Sequence, residues 1–144
     1  MPVRSATAEW NGTLTEGRGH INGQSGQINA DYDWRSRSAE GTGTNPEELI
    51  GAAHAGCYSM ALSAGLGQAG FPPVRIRTTA KVHLEKQADG FAIPRIELET
   101  DAVVPGIDEA TFAQQAETAK KNCPVSKALA GVTISLTARL SQAT

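Results

Sequence analysis

The stretch NPEELIGAAHAGCYSMALSAGLG, residues 45–67, decides the fold because it predicts one long helix of small and apolar side chains. Thr44 or Asn45 can cap its first turn, and Glu47 and Glu48 suit the positive end of the helix dipole. Alanine, glycine and serine occupy nearly every side, and few charges follow the glutamates. A helix that is apolar all round is expected to be buried all round, so this helix should be central.

The residues before this helix have the pattern of a β-meander. Asn11-Gly12 and Asn22-Gly23 are hairpin signals, and Ser25-Gly26 follows close behind the second. They predict three strands, near residues 4–10, 13–21 and 27–34. The stretch RSRSAEGTG, residues 35–43, is polar and is predicted to be a mobile connection.

The residues after the helix predict two strands, two helices and a last strand. Alternating apolar residues and a turn at Asp89-Gly90 predict strands near 74–86 and 91–104, and Pro94 indicates an edge or a bulge. The remaining elements are a helix over EATFAQQAETAKKN capped by Asp108, a short helix from Cys123-Pro124 to about Gly131, and the strand VTISLTARL.

This element order, βββ-α-ββ-αα-β, predicts an α+β fold. A length of 144 residues makes one domain over residues 1–144 the expectation. One sheet cannot cover both sides of the 45–67 helix, so we predict a dimer in which a second subunit covers the rest. The helices within residues 108–130 are the alternative cover.

Charge and composition exclude several classes of partner. The net charge is −2 without a basic block, which argues against nucleic acid or an anionic membrane as the main partner. The N-terminus, MPVRSATAEW, has no apolar core of signal-peptide length, and no uninterrupted apolar run approaches about 18 residues. We therefore expect a cytoplasmic protein. Its two cysteines are then either inert core thiols or a redox pair.

The two cysteines differ in their local environment. Cys123 stands at a helix start with three lysines nearby in sequence, so local rules make it the more acidic thiol. Cys57 lies about three turns into its helix, where the dipole has faded, and its pKa should rise unless another segment supplies a charge. Without such a charge, Cys57 is readily explained as a core residue and Cys123 as a helix cap. His54, one turn before Cys57, fits a packed core or interface histidine better than a base.

Three motifs together carry a family resemblance: GTNPEELIGAAHAGCYSMALS, VPGID at 104–108 and CPVSKAL at 123–129. Through them the chain resembles the OsmC/Ohr family of osmotically inducible and organic hydroperoxide resistance proteins, and its OsmC branch in particular, over essentially the whole length. The resemblance implies an OsmC-like fold, with antiparallel sheets around central buried helices, in an intertwined homodimer. It also implies thiol-dependent reduction of hydroperoxides with no metal, haem or flavin cofactor.

The resemblance also implies site residues. Cys57 matches the peroxidatic cysteine, Cys123 the resolving cysteine, and Glu47 the family glutamate. The family arginine matches Arg37 best, although Arg18, in EGRGH, stands where the Ohr branch carries its arginine. The guanidinium would stabilise the Cys57 thiolate, and Glu47 would orient it through a bidentate contact. About 15 Å of helix separates Glu47 from Cys57. Either an arginine bridges much of that distance or Glu47 serves the other subunit.

The implied reaction begins when the Cys57 thiolate attacks the distal peroxide oxygen, so that an alcohol leaves and a sulfenic acid forms. Cys123 condenses with it to a disulfide, which an external dithiol reduces, with a lipoyl-bearing protein as the candidate reductant. Apolar side chains around the site favour bulky organic hydroperoxides. Such an enzyme would act in oxidative or osmotic stress defence.

Three other interpretations use the same residues. A non-catalytic dimer could hold an apolar small molecule with both cysteines in its core. A protein thiol-disulfide oxidoreductase could use both thiols, although the chain lacks a C-x-x-C motif. A zinc site could combine both cysteines with two of His20, His54 and His83, but no typical ligand spacing supports it.

Overall fold

The computed structural model describes residues 2–142. Its elements, in chain order, are β1 (Ala6–Asn11), β2 (Arg18–Gly23), β3 (Asn29–Tyr32), α1 (Trp34–Ser38), α2 (Pro46–Gln68), β4 (Arg75–Gln87), β5 (Gly90–Val103), α3 (Glu109–Asn122), α4 (Pro124–Ala128) and β6 (Thr133–Ser141). The α+β prediction is confirmed, with α1 as an additional helix. The chain separates into two compact units, one ending at Leu49 and the other beginning at Ile50. The single domain stays a prediction.

The first unit contains an antiparallel meander in the order β1-β2-β3. The second reversal follows the Ser25-Gly26 signal and not Asn22-Gly23, because Asn22 pairs with Thr7 inside the sheet. Gly26, with a φ of 80°, makes the turn instead. Its amide donates to the carbonyl of Gly23 over 3.0 Å, which closes the reversal between β2 and β3.

Helix α1 replaces part of the predicted mobile connection, so that prediction is wrong over residues 35–38. Asp33 caps it by accepting from the Ser36 amide over 2.7 Å, while the Ser36 hydroxyl accepts from the Asp33 amide over 3.0 Å. This is a capping box in which serine replaces the usual Glu or Gln. Asn45 Nδ2 also donates to the Ser36 carbonyl over 3.0 Å, which fastens α1 to the start of α2.

Helix α2 begins as predicted, with Asn45 Oδ1 accepting from the Glu48 amide over 2.7 Å. Its burial within the single chain is one-sided. One face is covered by the core of the second unit, at Gly51, His54, Tyr58, Leu62 and Leu66. The opposite face of this chain is exposed and carries Ala52, Ala53, Gly56, Met60, Ser63 and Ala64. The elements of this chain therefore cover only one side of α2, and cover of the other side by a second subunit stays a prediction.

The length and composition of α2 also match a membrane span, with 23 residues and a mean hydropathy of 1.2. The core helix of a globular protein has the same properties. The burial of His54 and Tyr58 by other elements of the second unit agrees with that explanation.

The second unit contains a sheet in the order β4-β5-β6. The register of β4 and β5 shifts between His83 and Glu85, opposite the segment that holds Pro94, so the predicted irregularity at this proline is confirmed. Strands β5 and β6 pair in parallel. The sheet is therefore mixed, which corrects the expectation of purely antiparallel sheets. Parallel neighbours need a crossover connection, and α3 and α4 provide it.

Helices α3 and α4 meet at Cys123. Asp108 caps α3 by accepting from the Thr111 amide over 2.9 Å, as predicted. The Cys123 amide donates to the Ala119 carbonyl over 2.9 Å, and the Cys123 carbonyl accepts the amide of Lys127 over 3.1 Å. One residue thus ends α3 and starts α4. Helix α4 stops at Ala128, earlier than predicted.

The hydrophobic core of the second unit lies between α2, the mixed sheet and α3. Its buried members are Tyr58, Leu62, Leu66, Ile96, Leu98, Ala102, Val104, Phe112, Ala116, Ala119 and Cys123. Phe112, Ala116 and Ala119 belong to this core, which confirms the predicted apolar stripe of α3. Cys123 is thus held by a packed core, and Cys57 packs against the same cluster while remaining partly exposed.

Candidate active site

Arg37 and Glu47 form an ion pair within the first unit. Arg37 Nε and Nη2 donate to the same oxygen, Glu47 Oε1, over 3.1 and 2.9 Å. Helix α1 presents the arginine, and the first turn of α2 presents the glutamate. The Glu47 side chain is only 9% exposed and the Arg37 side chain 35%. A carboxylate buried to this degree requires a cation, and Arg37 supplies it.

Only one of the two carboxylate oxygens of Glu47 is hydrogen-bonded within the described residues. Its Oε2 atom is buried and has no hydrogen-bond partner among the residues that the structure describes. Buried polar atoms in native proteins are almost always paired. Two nitrogens of the Arg37 guanidinium thus donate to a single carboxylate oxygen, and the second oxygen takes no part in the contact.

Arg18, the alternative arginine, lies in a different setting. It is exposed at the start of β2 and pairs through its backbone with Asn11. Within residues 2–142 its side chain has no ion pair. An exposed strand arginine of this kind is ordinarily solvated.

A cavity of about 430 Å³ in the first unit brings apolar rings beside Arg37. Its lining includes Trp10, Leu14, Tyr32 and Trp34. The Trp10 and Tyr32 rings lie 5.4 Å apart between centroids. The cavity can accept an apolar group next to a guanidinium.

The two thiols are neighbours in the second unit. Both are free, with Cys57 partly exposed and Cys123 fully buried. Their pKa values depend on one another, because the proximity of Cys123 acts to raise the pKa of Cys57 and that of Cys57 acts to lower the pKa of Cys123. The structure therefore brings together the two cysteines that the sequence singled out.

The two thiols differ in acidity. Burial raises the pKa of Cys57, and the neighbouring Cys123 thiol raises it further, against a small opposing effect of the Val125 amide. Burial also acts to raise the pKa of Cys123. Contacts from Cys57, from the Ser126 amide and hydroxyl and from the Val125 amide outweigh burial, so the pKa of Cys123 is lowered. Within this unit, the local rule that made Cys123 the more acidic thiol holds.

Ser126 is a site residue that the sequence analysis missed. It is the third residue of α4. The side chain of Cys123, the residue before that helix, makes no capping hydrogen bond. The amide and hydroxyl of Ser126 both act to lower the pKa of Cys123. The sequence did contain a signal for Ser126, because the third residue of a helix normally faces the residue that caps it.

His54 completes this cluster. It is fully buried, and its Nε2 atom lies 2.8 Å from Ser126 Oγ. Burial lowers its pKa, so the imidazole is neutral at physiological pH. Its Nδ1 atom has no partner among the described residues. The expectation of a packed histidine is confirmed, and its contact with Ser126 is new.

Two neighbouring free thiols can form a disulfide when one of them is oxidised and their backbone geometry permits the bond. Residues 2–142 contain no group of three or more His, Cys, Asp or Glu side chains that could hold a metal ion.

Comparisons with known proteins agree with this chemistry. A family model described as OsmC-like protein matches residues 39–137. The chain is 49% identical to the peroxiredoxin OsmC of Escherichia coli (strain K12) over 127 residues, which cover 88% of this chain and 89% of that protein. It is 33% identical over 94 residues to an organic hydroperoxide resistance protein of Xanthomonas axonopodis pv. citri, covering 65% of this chain and 64% of that protein. A crystal structure of an organic hydroperoxide resistance protein OsmC from Legionella pneumophila superposes with a TM-score of 0.71 at 22% identity, covering 98% and 99% of the two chains.

Proposed function

Because the chain belongs to the OsmC-like family, we propose that it is a cysteine-based peroxidase that reduces organic hydroperoxides to alcohols. One observation supports this function above the others: two free cysteines are neighbours beside a packed core, one partly exposed and the other fully buried. The exposed member can meet a substrate, and the buried member can close a disulfide.

In the proposed cycle the Cys57 thiolate attacks the distal oxygen of the hydroperoxide. The O–O bond breaks, the alcohol leaves, and the Cys57 sulfur becomes a sulfenic acid. Cys123 then attacks that sulfur, a disulfide forms, and water leaves. An external dithiol returns both sulfurs to thiols. We take a lipoyl-bearing protein as the candidate reductant.

The Cys57 thiolate needs a cation, because its own surroundings in the second unit raise its pKa. We assign this role to the Arg37 guanidinium, with Glu47 as the carboxylate that fixes its orientation. The family resemblance supports the assignment, and so does the ion pair at 2.9 Å. Opposite charge near a thiol favours the ionised form, so Arg37 would lower the pKa of Cys57.

The substrate would carry an apolar group on the peroxide. The cavity beside Arg37 is lined by the rings of Trp10, Tyr32 and Trp34, which suit an alkyl or aryl substituent. Organic hydroperoxides also appear in the names of the similar proteins from Xanthomonas axonopodis pv. citri and Legionella pneumophila.

We also propose that the protein acts as a homodimer in the cytoplasm. The exposed face of α2 carries small apolar residues and Met60, which is 76% exposed in the single chain. Such a face is suited to close packing against a second copy. A partner could also supply the donor that Glu47 Oε2 lacks among the described residues. A reducing compartment would keep both thiols free between turnovers.

Substitution of each cysteine tests the division of roles. We expect Cys57→Ser to abolish peroxide reduction. Cys123→Ser should still allow one turnover and should leave a sulfenic acid that dimedone traps on Cys57, since that step does not need the second thiol. Mass spectrometry of the dimedone adduct locates the reactive sulfur. A dimedone adduct in Cys57→Ser but none in Cys123→Ser would reverse the roles.

Thiol titration separates this function from its alternatives. One equivalent of cumene hydroperoxide should remove two thiols per chain if the protein is a peroxidase. A non-catalytic binding dimer would lose none. A protein thiol-disulfide oxidoreductase would also resist peroxide, but would exchange with a disulfide-bonded protein substrate.

A further inference from the structure

Trp10, Gly19 and Tyr32 form one row across the sheet of the first unit. Trp10 on β1 pairs with Gly19 on β2, and Gly19 pairs with Tyr32 on β3. Residues paired directly across neighbouring strands have their side chains on the same face of the sheet. The two aromatic side chains therefore flank a position that has no side chain, and their rings meet over it with centroids 5.4 Å apart.

Gly19 is required by the two rings and not by its own backbone. It is not one of the glycines with a positive φ, so other residue types could adopt its conformation. A Cβ atom at this position would lie 2.7 Å from Trp10 Cε3 and 2.8 Å from Tyr32 Cζ, which is closer than real Cβ atoms come to other atoms. Glycine inside a strand weakens the strand and often marks the close approach of another group. Here that group is the pair of rings.

The Trp10 indole is also held at its nitrogen. The Nε1 atom donates to the carbonyls of Gly12 and Thr13 over 3.1 and 3.3 Å. Gly17 lies close to the same nitrogen, since a Cβ atom there would be 2.8 Å from Nε1. The Gly17 amide in turn donates to the Thr13 carbonyl over 2.7 Å. The orientation of the ring is therefore fixed before any ligand binds, which lowers the entropy cost of binding.

Both rings line the cavity of about 430 Å³ beside Arg37 and are only partly buried, whereas Gly19 is buried. The volume lies within the range of small-molecule sites, which is about 300–1,000 Å³. A flat ring that enters this cavity can stack on, or meet edge-to-face, the aromatic surfaces of Trp10 and Tyr32. Such contacts add to the gain from burying apolar area, whereas a saturated group gains from burial alone.

We infer that Trp10 and Tyr32 make this cavity selective for hydroperoxides that carry an aryl group over those that carry a saturated group of the same carbon count. Gly19 is the positioning residue that allows the two rings to meet. The inference rests on the proposed peroxidase function, with this cavity as its substrate site, and it names the class of substrate within that function.

Binding of product alcohols tests this preference without any peroxide chemistry. The probes are cumyl alcohol, which is the product of cumene hydroperoxide, and its analogue with cyclohexyl in place of phenyl. Burial alone favours the cyclohexyl alcohol, because its apolar surface is larger. The chain has two tryptophans, Trp10 and Trp34, and both line the cavity, so intrinsic fluorescence reports on this cavity. We expect cumyl alcohol to bind about threefold or more tightly than its analogue, since aromatic contacts exceed area burial by about this factor.

Substitutions test which residues carry the preference. Trp10→Leu should abolish it by removing one ring, and Trp34 remains as the fluorescent reporter. Gly19→Ala should abolish it as well, because the added methyl group forces the rings apart. In the Trp10→Leu background, Gly19→Ala should not change the ratio of the two dissociation constants further, because it acts through the rings. Gly23→Ala is the matched control on the same strand, where a Cβ atom meets only the Ile28 side chain at 3.2 Å, and it should keep the ratio. A merely structural role of Gly19 would weaken the binding of both alcohols equally.

Further variants keep the test decisive if Trp10→Leu or Gly19→Ala fails to fold. Trp10→Phe retains a ring and should keep part of the preference, whereas Tyr32→Leu removes the other ring and should lose it. Equal binding of the two alcohols by the parent protein, tighter binding of the cyclohexyl alcohol, or binding of neither would overturn the inference. So would an unchanged ratio in folded Trp10→Leu, Gly19→Ala or Tyr32→Leu. A failure of the peroxidase proposal alone would instead appear as absent reduction of cumene hydroperoxide with the preference for cumyl alcohol intact.

Discussion

Glu47 shows how strongly a buried carboxylate depends on the cation that pairs with it. The residue is 7% exposed, and its carboxylate is compensated by Arg37 through one oxygen. A buried charge is tolerated only when paired, so the pair has to be present together or absent together. Arg18 has no such partner within the described chain and no comparable constraint on its side chain.

The choice between the two arginines can be tested through the acidity of Cys57. In a Cys123→Ser background, Arg37→Ala should raise the pKa of the Cys57 thiol by at least about one unit, because a nearby cation favours the thiolate. Arg37→Lys should restore little, since a point charge cannot reproduce the two-donor contact with Glu47. Thiolate absorbance across a pH titration provides the measurement. Arg18→Ala is the control, and a larger rise in that variant would move the cation to the N-terminal hairpin.

The disulfide should be reduced from one side only. Cys57 is partly exposed, whereas Cys123 is fully buried and is the better leaving thiolate. We expect a small monothiol added to the oxidised protein to form its mixed disulfide on Cys57. Rapid alkylation followed by peptide mass spectrometry identifies the sulfur. A mixed disulfide found mainly on Cys123 would contradict both the exposure argument and the leaving-group argument.

At the scale of elements, short capping contacts fix where the helices start. Asp33, Asn45 and Asp108 each accept an amide of their own first turn, over 2.7, 2.7 and 2.9 Å. The position of Cys123 depends on the last of these helices, because the residue closes α3 and opens α4. The ends of these two helices thus fix the position of the Cys123 side chain.

The Asp108 cap should make stability depend on pH. Hydrogen bonds from the side chain and the amide of Thr111 lower the pKa of Asp108 below its ordinary value of 3.8. A carboxyl with a lowered folded-state pKa stabilises the fold above its unfolded pKa and loses that effect as the pH falls through the folded value. Asp108→Ala should lower the melting temperature by a few degrees at neutral pH. The difference from the parent protein should shrink below about pH 3.8.

Asp108→Asn is the matched variant for this prediction. Asparagine caps helices about as well as aspartate but does not titrate in this range. It should retain most of the melting temperature at neutral pH. A loss in Asp108→Asn as large as that in Asp108→Ala would show that charge, not capping, accounts for the contribution.

At the scale of the whole molecule, the open face of α2 is the proposed interface with a second copy of the chain. Met60 is 76% exposed there, among residues no larger than serine on the same face. We expect Met60→Lys to shift the protein from dimer to monomer in sedimentation velocity, because a buried unpaired ammonium disfavours close packing. Val74→Lys is the control, since Val74 is 69% exposed but lies outside this helix. A monomeric parent protein, or a dimer unaffected by Met60→Lys, would exclude this face as the interface.

Subunit mixing tests whether one site draws on both chains. Cys57→Ser and Glu47→Ala subunits should each be inactive. Their heterodimers should recover part of the activity if Glu47 serves the partner's cysteine, because one of the two sites then has both residues. Heterodimers that form but stay inactive would confine each site to one chain.

The sequence by itself determined the features that depend on neighbouring residues. Asn45 and Asp108 start their helices as predicted, and Pro94 marks the irregular pairing of β4 and β5, because capping and proline sterics act over a few residues. The motif resemblance pointed to Cys57, Cys123, Arg37 and Glu47. The structure pairs Arg37 with Glu47 and brings Cys57 next to Cys123. Their roles in catalysis remain predictions.

Only the tertiary structure decided the features that join distant parts of the chain. The parallel pairing of β5 with β6, the one-sided burial of α2 and the contact of His54 with Ser126 across 72 residues could not be obtained from local patterns. The physical reason is the same in each case. Periodicity shows that a side chain is apolar or able to cap, but which surface covers it depends on packing between elements that are far apart in sequence.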